Sequence, residues 1–313
     1  MFDTDILLKR ELNIEITKYN QNGGKDFYKE FKSSEADGGM LNAKFNFQKY
    51  IGNTAYGSGK VSICGLDKQT IETLTGFADI ETELNARKII KLYAGYEGKQ
   101  LGLMVDGSIV SALPTMPPDI WLNCEVINNY EQRNKTIEFA TTQSMTLEDY
   151  IKAVADKLNL RTEVRIKEQS ILKKQISKQS MLANMFQIAN SVTTVYDNTA
   201  NVIGIVAYIE NETLVVDYSL PPASDERIKN VAAEISKDTG MIGLPELAMA
   251  GHIANITTLI DTSIKTGNVI KLKSEAIPAA NGLYYVIGIT YTGEFRGNAW
   301  YSMFHCRRIY TNG

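Results

Sequence analysis

The segment Tyr-Tyr-Val-Ile-Gly-Ile-Thr-Tyr at residues 284–291 is apolar along almost its whole length. Because successive side chains of a β-strand point to opposite faces, Tyr285, Ile287 and Ile289 are expected on one face, and Tyr284 with the intervening residues on the other. An isolated surface hairpin does not need two apolar faces. The segment therefore predicts a strand that is buried against its own core on one side and against a neighbour on the other.

Strand signals are dense in the first 143 residues. Apolar residues alternate at Ile14 and Ile16 and again at Phe45 and Phe47, which is typical of half-buried strands. Further strands are predicted at 60–64, 86–93, 101–105, 108–112, 121–128 and 135–140, with Asp106-Gly107 as a hairpin turn. So many short strands favour a β-barrel or a sandwich.

Two stretches interrupt this pattern. Asp67 begins a predicted short helix that ends at Leu74, since Ile71 and Leu74 fall on one helical face. Residues 20–39 contain two Gly-Gly pairs and mixed charge, which indicates either a long hairpin tip or a mobile loop.

The apolar period changes after residue 143. Thr146 is a candidate helix cap, and apolar residues from Leu147 to Leu158 recur at helical spacing. A second helix is predicted at roughly 180–190, followed by strands at 193–196, 203–209 and 213–218. Beyond Pro221-Pro222, strands are predicted at 256–260, 269–272, 284–291 and 300–309. The chain therefore reads as a β domain at 1–143, a small mixed α+β domain at 144–224 and a second β domain at 225–313.

Composition excludes several functional classes. The 313 residues include 33 Lys and Arg against 36 Asp and Glu, a net charge of −3, without the basic surplus of a general nucleic-acid binder. Weakly polar stretches are too short to span a bilayer. The N-terminus lacks the pattern of a secretory signal, so we expect synthesis and folding in the cytoplasm.

Residues suited to metal binding or nucleophilic catalysis are few. Cys64, Cys124 and Cys306 are far apart and form no CxxC pair, which favours buried reduced thiols. His252 and His305 stand outside any HExxH, HxH or CxxCH arrangement. We therefore predict no catalytic, cofactor-binding or metal-binding residues.

Three other features weakly suggest a site. Gly52-x4-Gly57 precedes Ser58-Gly59-Lys60, but the lysine is misplaced for a phosphate loop and opens a strand. Carboxylates occur at Glu148-Asp149 on the predicted helix and at Asp79, Glu81 and Glu83, and a solvated surface explains both groups. Residues 161–178 hold six basic and two acidic residues, which fits either an acidic partner or an exposed linker.

Residues 89–98 read IIKLYAGYEG, residues 105–109 read VDGSI and residues 118–122 read PDIWL. The predicted helix pair follows, and the chain closes with GMIGLP at 240–245 and TGEFRGNAW at 292–300. In this order the stretches resemble the baseplate hub proteins of contractile-tailed bacteriophages, which are related to phage late-control proteins and to type VI secretion spike bases. Tyr291 stands about where these proteins often have His.

The resemblance implies two tube-like β-barrel domains, at 1–143 and 225–313, separated by the α+β domain. It further implies a homotrimer that adapts a six-fold tail tube, or its initiator, to a three-fold central spike within the virion baseplate. Other baseplate proteins would be neighbours, and DNA would only pass through a central channel, with no membrane contact. A hub of this kind works by docking rather than by bond chemistry.

Two alternatives stay open. The chain could be a spike base or tail adaptor of a secretion system or tailocin, which is also structural. It could instead be a tail-associated cell-wall hydrolase or carbohydrate-binding protein, a class that would show a carboxylate pair in a cleft or exposed aromatic residues on one strand face.

Overall fold

The computed structural model describes residues 9–33, 41–51, 57–76, 86–116, 120–128, 130, 136–140, 145–173, 175, 180–184, 187, 204–210 and 213–310. The strands are β1 (Arg10–Tyr19), β2 (Lys25–Lys32), β3 (Asn42–Tyr50), β4 (Ser58–Cys64), β5 (Arg87–Tyr96), β6 (Gly102–Pro114), β7 (Trp121–Ile127), β8 (Thr136–Ala140), β9 (Arg161–Val164), β10 (Ser180–Asn184), β11 (Ile205–Glu210), β12 (Thr213–Tyr218), β13 (Ala233–Ile235), β14 (Glu246–Ala248), β15 (Ile253–Leu259), β16 (Val269–Leu272), β17 (Gly282–Glu294) and β18 (Trp300–Ile309). The α-helices are α1 (Lys68–Thr75), α2 (Leu147–Leu158), α3 (Gln169–Leu172) and α4 (Glu226–Lys229).

The protein is mainly β, as predicted, and is built on one large sheet. Its strand order is β14-β15-β18-β17-β3-β4-β7-β6-β5-β1-β2, with β16 and β13 attached beside β17. β17 is the branch point, because its first half pairs with β16 and its second half pairs with β3. The two β regions of the chain thus share a sheet. In the described residues this sheet does not close into a barrel, so the two-barrel arrangement and the three domain boundaries stay predictions.

One apolar core lies on a face of this sheet and includes residues from both ends of the chain. Phe45 and Trp300 meet edge to face, with ring centroids 5.6 Å apart, although they are distant in sequence. Leu12, Ile14 and Ile16 of β1 are fully buried in the same core. The predicted alternation of β1 and β3 is confirmed.

The α+β part has its own core. α2 packs against a three-stranded sheet in which β12 lies between β11 and β9. Thr146 caps this helix, since its side chain accepts a hydrogen bond from the main-chain N–H of Asp149 at 3.2 Å. Leu147, Tyr150 and Ile151 are among its buried residues, so the predicted helix and its apolar face are confirmed. None of the described helices has the length and apolarity needed to cross a membrane.

The β17 strand is buried on both faces in its first half, but its register differs from the prediction. The ladder with β18 pairs Val286 with Cys306 and Gly288 with His305, which leaves Ile287 as the extra residue of a β-bulge. Tyr285 therefore faces a small cluster that includes Ile287, whereas Ile289 faces the main core. The prediction that these three residues share one face is wrong for Ile289.

The second face of β17 is covered by the chain itself. Leu220, Ile228 and Val231, from the segment that follows the α+β part, pack on the cluster around Tyr285. The Tyr285 hydroxyl donates a hydrogen bond to the main-chain oxygen of Tyr218 at 3.0 Å. The cover that the sequence predicted from a neighbour thus comes from within the same chain at this position.

The predicted hairpin turn at Asp106-Gly107 is wrong, because β6 continues through both residues. The turn lies earlier, at 97–100, where Gly98 has a φ of 75° and the Lys99 N–H bonds to the Tyr96 oxygen at 3.0 Å. Gly107 serves a close approach instead, since a Cβ there would lie 2.8 Å from the main-chain oxygen of Ile127.

Two further predictions need correction. Residues 180–184 form β10, which pairs with β8, rather than the start of a helix. Short apolar runs fit both periods, and here the partner strand decides. Residues 25–32 form β2 within the stretch read as a hairpin tip or loop. The strand predicted at 193–196 lies outside the described residues.

Candidate functional site

The three cysteines are unpaired thiols, and the predicted burial is confirmed for Cys124 and Cys306, whereas Cys64 is only partly buried. Cys124 and Cys306 are buried in the main core, and burial raises the pKa of Cys124 to about 12 and that of Cys306 higher still. Since the thiolate is the nucleophilic and metal-binding form, both thiols are chemically quiet at neutral pH.

The two histidines have structural partners and do not meet. The imidazole of His305 stacks on Tyr50 with ring centroids 5.0 Å apart, and its nitrogens lie 2.9 Å from Asn255 Oδ1 and 2.9 Å from Thr290 Oγ1. Burial lowers the pKa of His305, which favours the neutral ring. His252 lies 2.9 Å from the hydroxyl of Tyr310. Both histidines therefore organise the β15–β18 region.

The acidic residues singled out in the sequence do not form a catalytic pair. Glu148 forms an ion pair with Lys152 at 2.8 Å, and Asp149 accepts a hydrogen bond from the hydroxyl of Thr146 at 2.7 Å. Asp79, Glu81 and Glu83, like residues 52–56 of the glycine-rich stretch, lie outside the described residues. Within the described ranges no group of three His, Cys, Asp or Glu side chains is arranged to hold a metal ion.

The basic stretch at 161–178 is divided among different environments. Arg161 lies on the exposed part of β9, and Lys167 forms an ion pair with Glu226 across to α4. Arg165 turns inward and joins a buried ionic network. The described part of the stretch is therefore not one continuous basic patch.

The centre of that network is Asp217, whose side chain is completely buried. Arg227 donates to both carboxylate oxygens, at 2.8 and 2.9 Å, and Arg165 lies 3.4 Å from one of them. Burial lowers the pKa of Arg227, but its hydrogen bonds to Asp225 and Asp217 outweigh this effect and raise the pKa above its ordinary value. The guanidinium group of Arg227 therefore stays charged at any ordinary pH.

The same arginines connect the α+β part to the large sheet. Arg227 donates to the main-chain oxygen of Gly267 at 2.9 Å, and Arg165 donates to that of Thr266 at 3.1 Å. Both oxygens belong to the loop that leads into β16. This joint between the α+β part and the large sheet was not predicted from the sequence. Its local signal is an aspartate within the apolar strand Thr-Leu-Val-Val-Asp-Tyr at 213–218.

Exposed large apolar side chains gather mainly in two patches. The hairpin patch lies at the β6–β7 connection and consists of Leu113, Met116 and Ile120, with Met116 88% exposed. The edge patch lies around β14 and consists of Leu244, Leu247, Met249 and Tyr310, with Met249 72% exposed. Clustered exposed apolar residues are typical of interaction surfaces.

The two patches lie at opposite ends of the strands. The β6–β7 connection adjoins the end of the sheet where Cys64 pairs with Trp121. The β14–β15 turn adjoins the other end, where Ile253 pairs with Arg307 and Arg307 pairs in turn with Tyr285. The two exposed apolar patches are thus separated along the strand direction.

The fold is that of phage tail proteins and of proteins from type VI secretion assemblies. The chain is similar to the tail protein from Neisseria meningitidis MC58, with a TM-score of 0.55, 11% identity and coverage of 94% of this chain and 96% of that one. It is similar to a chain of the half-lidded Francisella PdpA–VgrG complex, with a TM-score of 0.62, 8% identity and coverage of 98% and 59%. It is also similar to the E. coli type VI secretion component c3393, itself described as similar to the phage T4 tail proteins gp27 and gp5, with a TM-score of 0.53, 8% identity and coverage of 87% and 74%.

The sequence identifies the family within this fold. Residues 36–306 match the model of the family described as baseplate hub gp41, so the chain belongs to that family. The resemblance inferred from the sequence is confirmed. No curated protein matches the chain.

Proposed function

We propose that this protein is a structural hub of a phage tail baseplate, which assembles as a homotrimer and joins a six-fold tail tube to a three-fold central spike. The observation that carries the proposal is the pair of exposed apolar patches at opposite ends of the strands. An adaptor needs two such surfaces, one for the tube protein or its initiator and one for the spike.

The architecture supports the match of symmetries. The chain has two β regions, at its two ends, and each would supply one tube-like domain, so that three chains present six. The β3–β17 pairing holds these regions in one sheet with a common core. A rigid link of this kind would keep the two domains in fixed register around the axis.

The hub would act by docking and without catalysis. Its family is described as baseplate hub, Cys124 and Cys306 are buried, and His305, Glu148 and Asp149 have structural partners. A net charge of −3 would let DNA pass a central channel without strong binding. Other baseplate proteins would surround the hub in the virion, after synthesis in the host cytoplasm.

A spike base of a secretion system is the second structural candidate, favoured by the likeness to the Francisella and E. coli type VI proteins. Both candidates predict a trimer, and they differ in the partner that is bound. The hydrolase and glycan-binding alternatives find no support in the family.

Single-particle electron microscopy of the purified protein, with its mass in solution, tests the proposal. A three-fold ring with an open axis and six similar peripheral lobes is expected. Compact monomers, both alone and after mixing with the spike protein encoded by the same phage, would contradict the hub function.

Variants of the two patches test the adaptor role. Leu113→Asp with Met116→Asp should abolish binding at one end of the assembly, and Leu247→Asp with Met249→Asp should abolish binding at the other. Lys60→Asp, on an exposed position of β4, is the control. If both double variants still assemble into complete tails, the patches are not the docking surfaces.

A further inference from the structure

A cleft of about 1000 Å³ separates the large sheet from the three-stranded sheet. Lys49 and Tyr291 line it from β3 and β17, Glu210 lines it from β11, and Lys265 lines it from the loop that precedes β16. Its size lies at the upper end of the roughly 300–1000 Å³ range of ligand pockets.

Lys49 occupies a core-facing position. In β3 the buried residues alternate, with Ala43, Phe45, Phe47 and Lys49 on the same face and exposed residues between them. Lys49 is only 8% exposed. A lysine thus stands where the strand pattern calls for an apolar residue, and it is directed into the cleft that it lines.

The ammonium group of Lys49 has no ion-pair partner among the described residues. It lies over the ring of Tyr291, whose centroid is 5.9 Å from Nζ. Burial lowers the pKa of Lys49, while the more distant carboxylates of Glu210 and Asp106 act in the opposite direction. A buried charge that lacks a close counterion is costly and is typical of functional sites.

Two arginines of the cleft lining differ in this respect. Arg165 and Arg227 are matched by carboxylates in the Asp217 network. Lys265 lies near enough to lower the pKa of Lys49. Glu210 is the nearby acid, and one of its oxygens accepts from the Thr266 hydroxyl at 3.3 Å. Lys49 is thus a buried cation of the cleft lining that has no carboxylate in ion-pair contact among the described residues.

We propose that this cleft binds a carboxylate carried by an acidic protein segment, with Lys49 and Lys265 as the charged contacts. A carboxylate would supply the ammonium of Lys49 with the counterion that it lacks among the described residues. Glu163 and Glu210 also line the cleft, and its volume accommodates an acidic side chain with its flanking backbone. The inference concerns a ligand of the isolated chain, so it stands or fails separately from the trimer.

Calorimetric titration of the purified protein tests this site. The probes are acetylated and amidated tetraglutamate, tetraglutamine of the same form, and inorganic phosphate. Tetraglutamate is expected to bind, and tetraglutamine and phosphate are not. Binding of phosphate without tetraglutamate, or binding of neither, would overturn the proposal.

Lys49→Met removes the buried charge and keeps the volume. It should reduce tetraglutamate affinity at least about tenfold, because hydrogen bonds to charged groups contribute that much or more. Without the probe, this variant should unfold at the same or a higher denaturant concentration than the parent, since an unpaired buried charge has gone. Lys60→Met, on the exposed side of β4, is the control and should bind like the parent.

Two results would contradict the role of Lys49. One is parental affinity in Lys49→Met; the other is a loss of affinity in Lys60→Met as large as that in Lys49→Met. If Lys49→Met does not fold, Lys265→Met replaces it, since Lys265 is exposed and tolerates substitution. That variant should bind tetraglutamate at least about threefold more weakly, and unchanged affinity would overturn the proposal.

Discussion

The large sheet and the α+β part are attached to each other by a different kind of contact from the one that holds each of them together. Inside the large sheet, apolar side chains such as Phe45, Ile289 and Trp300 form one core. Inside the α+β part, α2 covers its sheet with apolar residues in the same way. Between the two parts, Arg165 and Arg227, both paired with Asp217, donate to main-chain oxygens of the 266–267 loop.

The two kinds of contact have different consequences. Apolar packing determines the shape of each part, and directional hydrogen bonds determine how the two parts are oriented. Apolar contacts are non-directional and tolerate small sliding movements. Bidentate hydrogen bonds between a guanidinium and a carboxylate fix an angle as well as a distance. In a hub that aligns partners on two sides, we infer that the Asp217 network holds the α+β part at a fixed angle to the sheet.

The largest loss of stability is expected from a substitution in the apolar core of the large sheet. Ile289→Asp places a charge at a position that is 1% exposed in the main core. It should lower the free energy of unfolding by more than about 4 kcal/mol and abolish incorporation into tails. Urea denaturation and a tail-assembly assay measure the two effects.

Ile287→Asp is the matched comparison on the same strand. Ile287 is the bulge residue and is only partly buried beside the Tyr285 cluster. Its substitution should therefore cost less than that of Ile289. Equal losses in the two variants would contradict the bulge and restore the simple alternation that the sequence predicted.

Asp217→Ala disrupts the ionic network between the α+β part and the large sheet. This change leaves two largely buried guanidinium groups without their shared carboxylate, so the free energy of unfolding should fall by about 3 kcal/mol. Hydrogen exchange should rise first in the 260–268 loop and in β12, where the network attaches the two parts. Chemical denaturation and exchange mass spectrometry measure these changes.

Glu163→Gln is the control for Asp217→Ala. Glu163 accepts from Arg165 at 2.8 Å, but its side chain is 51% exposed, so its loss should cost less than about 1 kcal/mol. A cost for Asp217→Ala as small as this would mean that apolar contacts, rather than the ionic network, hold the joint.

Features set by local apolar periodicity could be predicted from the sequence, and features set by contacts between distant residues could not. The strands at 213–218, 269–272 and 300–309 and the helix capped by Thr146 have the predicted bounds or nearly so, because apolar periodicity determines them locally. The bulge at Ile287 was missed, since one inserted residue leaves the composition of the strand unchanged and shows only in its pairing with β18.

The ionic network and the buried lysine depend on contacts between distant parts of the chain, so the sequence did not indicate them. Arg165, Asp217 and Arg227 are far apart in sequence, and nothing in their local context indicates that they meet. In the sequence, Lys49 is not distinguished from the other lysines. Only the burial pattern of β3 shows that its position faces the core. Hub membership was nevertheless predictable, because it depends on ordered motifs rather than on contacts.

The smallest change in stability is expected for a partly exposed ion pair at the edge of the large sheet. Asp67 caps α1 and forms an ion pair with Lys29 of the edge strand β2. Burial opposes ionisation of Asp67, but hydrogen bonds from Lys29 and Thr70 lower its pKa to about 2. The folded-state pKa thus lies below the unfolded value of about 3.9, so this stabilisation is present above about pH 4 and is lost as the pH falls through about 2.

Asp67→Asn isolates the charge, because asparagine retains the capping hydrogen bond. The variant should be less stable than the parent by under about 1 kcal/mol at pH 7, since the Asp67 side chain is 39% exposed and the pair is screened by solvent. The difference should shrink towards zero near pH 2 and should also shrink in a Lys29→Met background. Thermal unfolding across this pH range measures it, and a difference that does not change with pH would show that Asp67 acts through its shape rather than its charge.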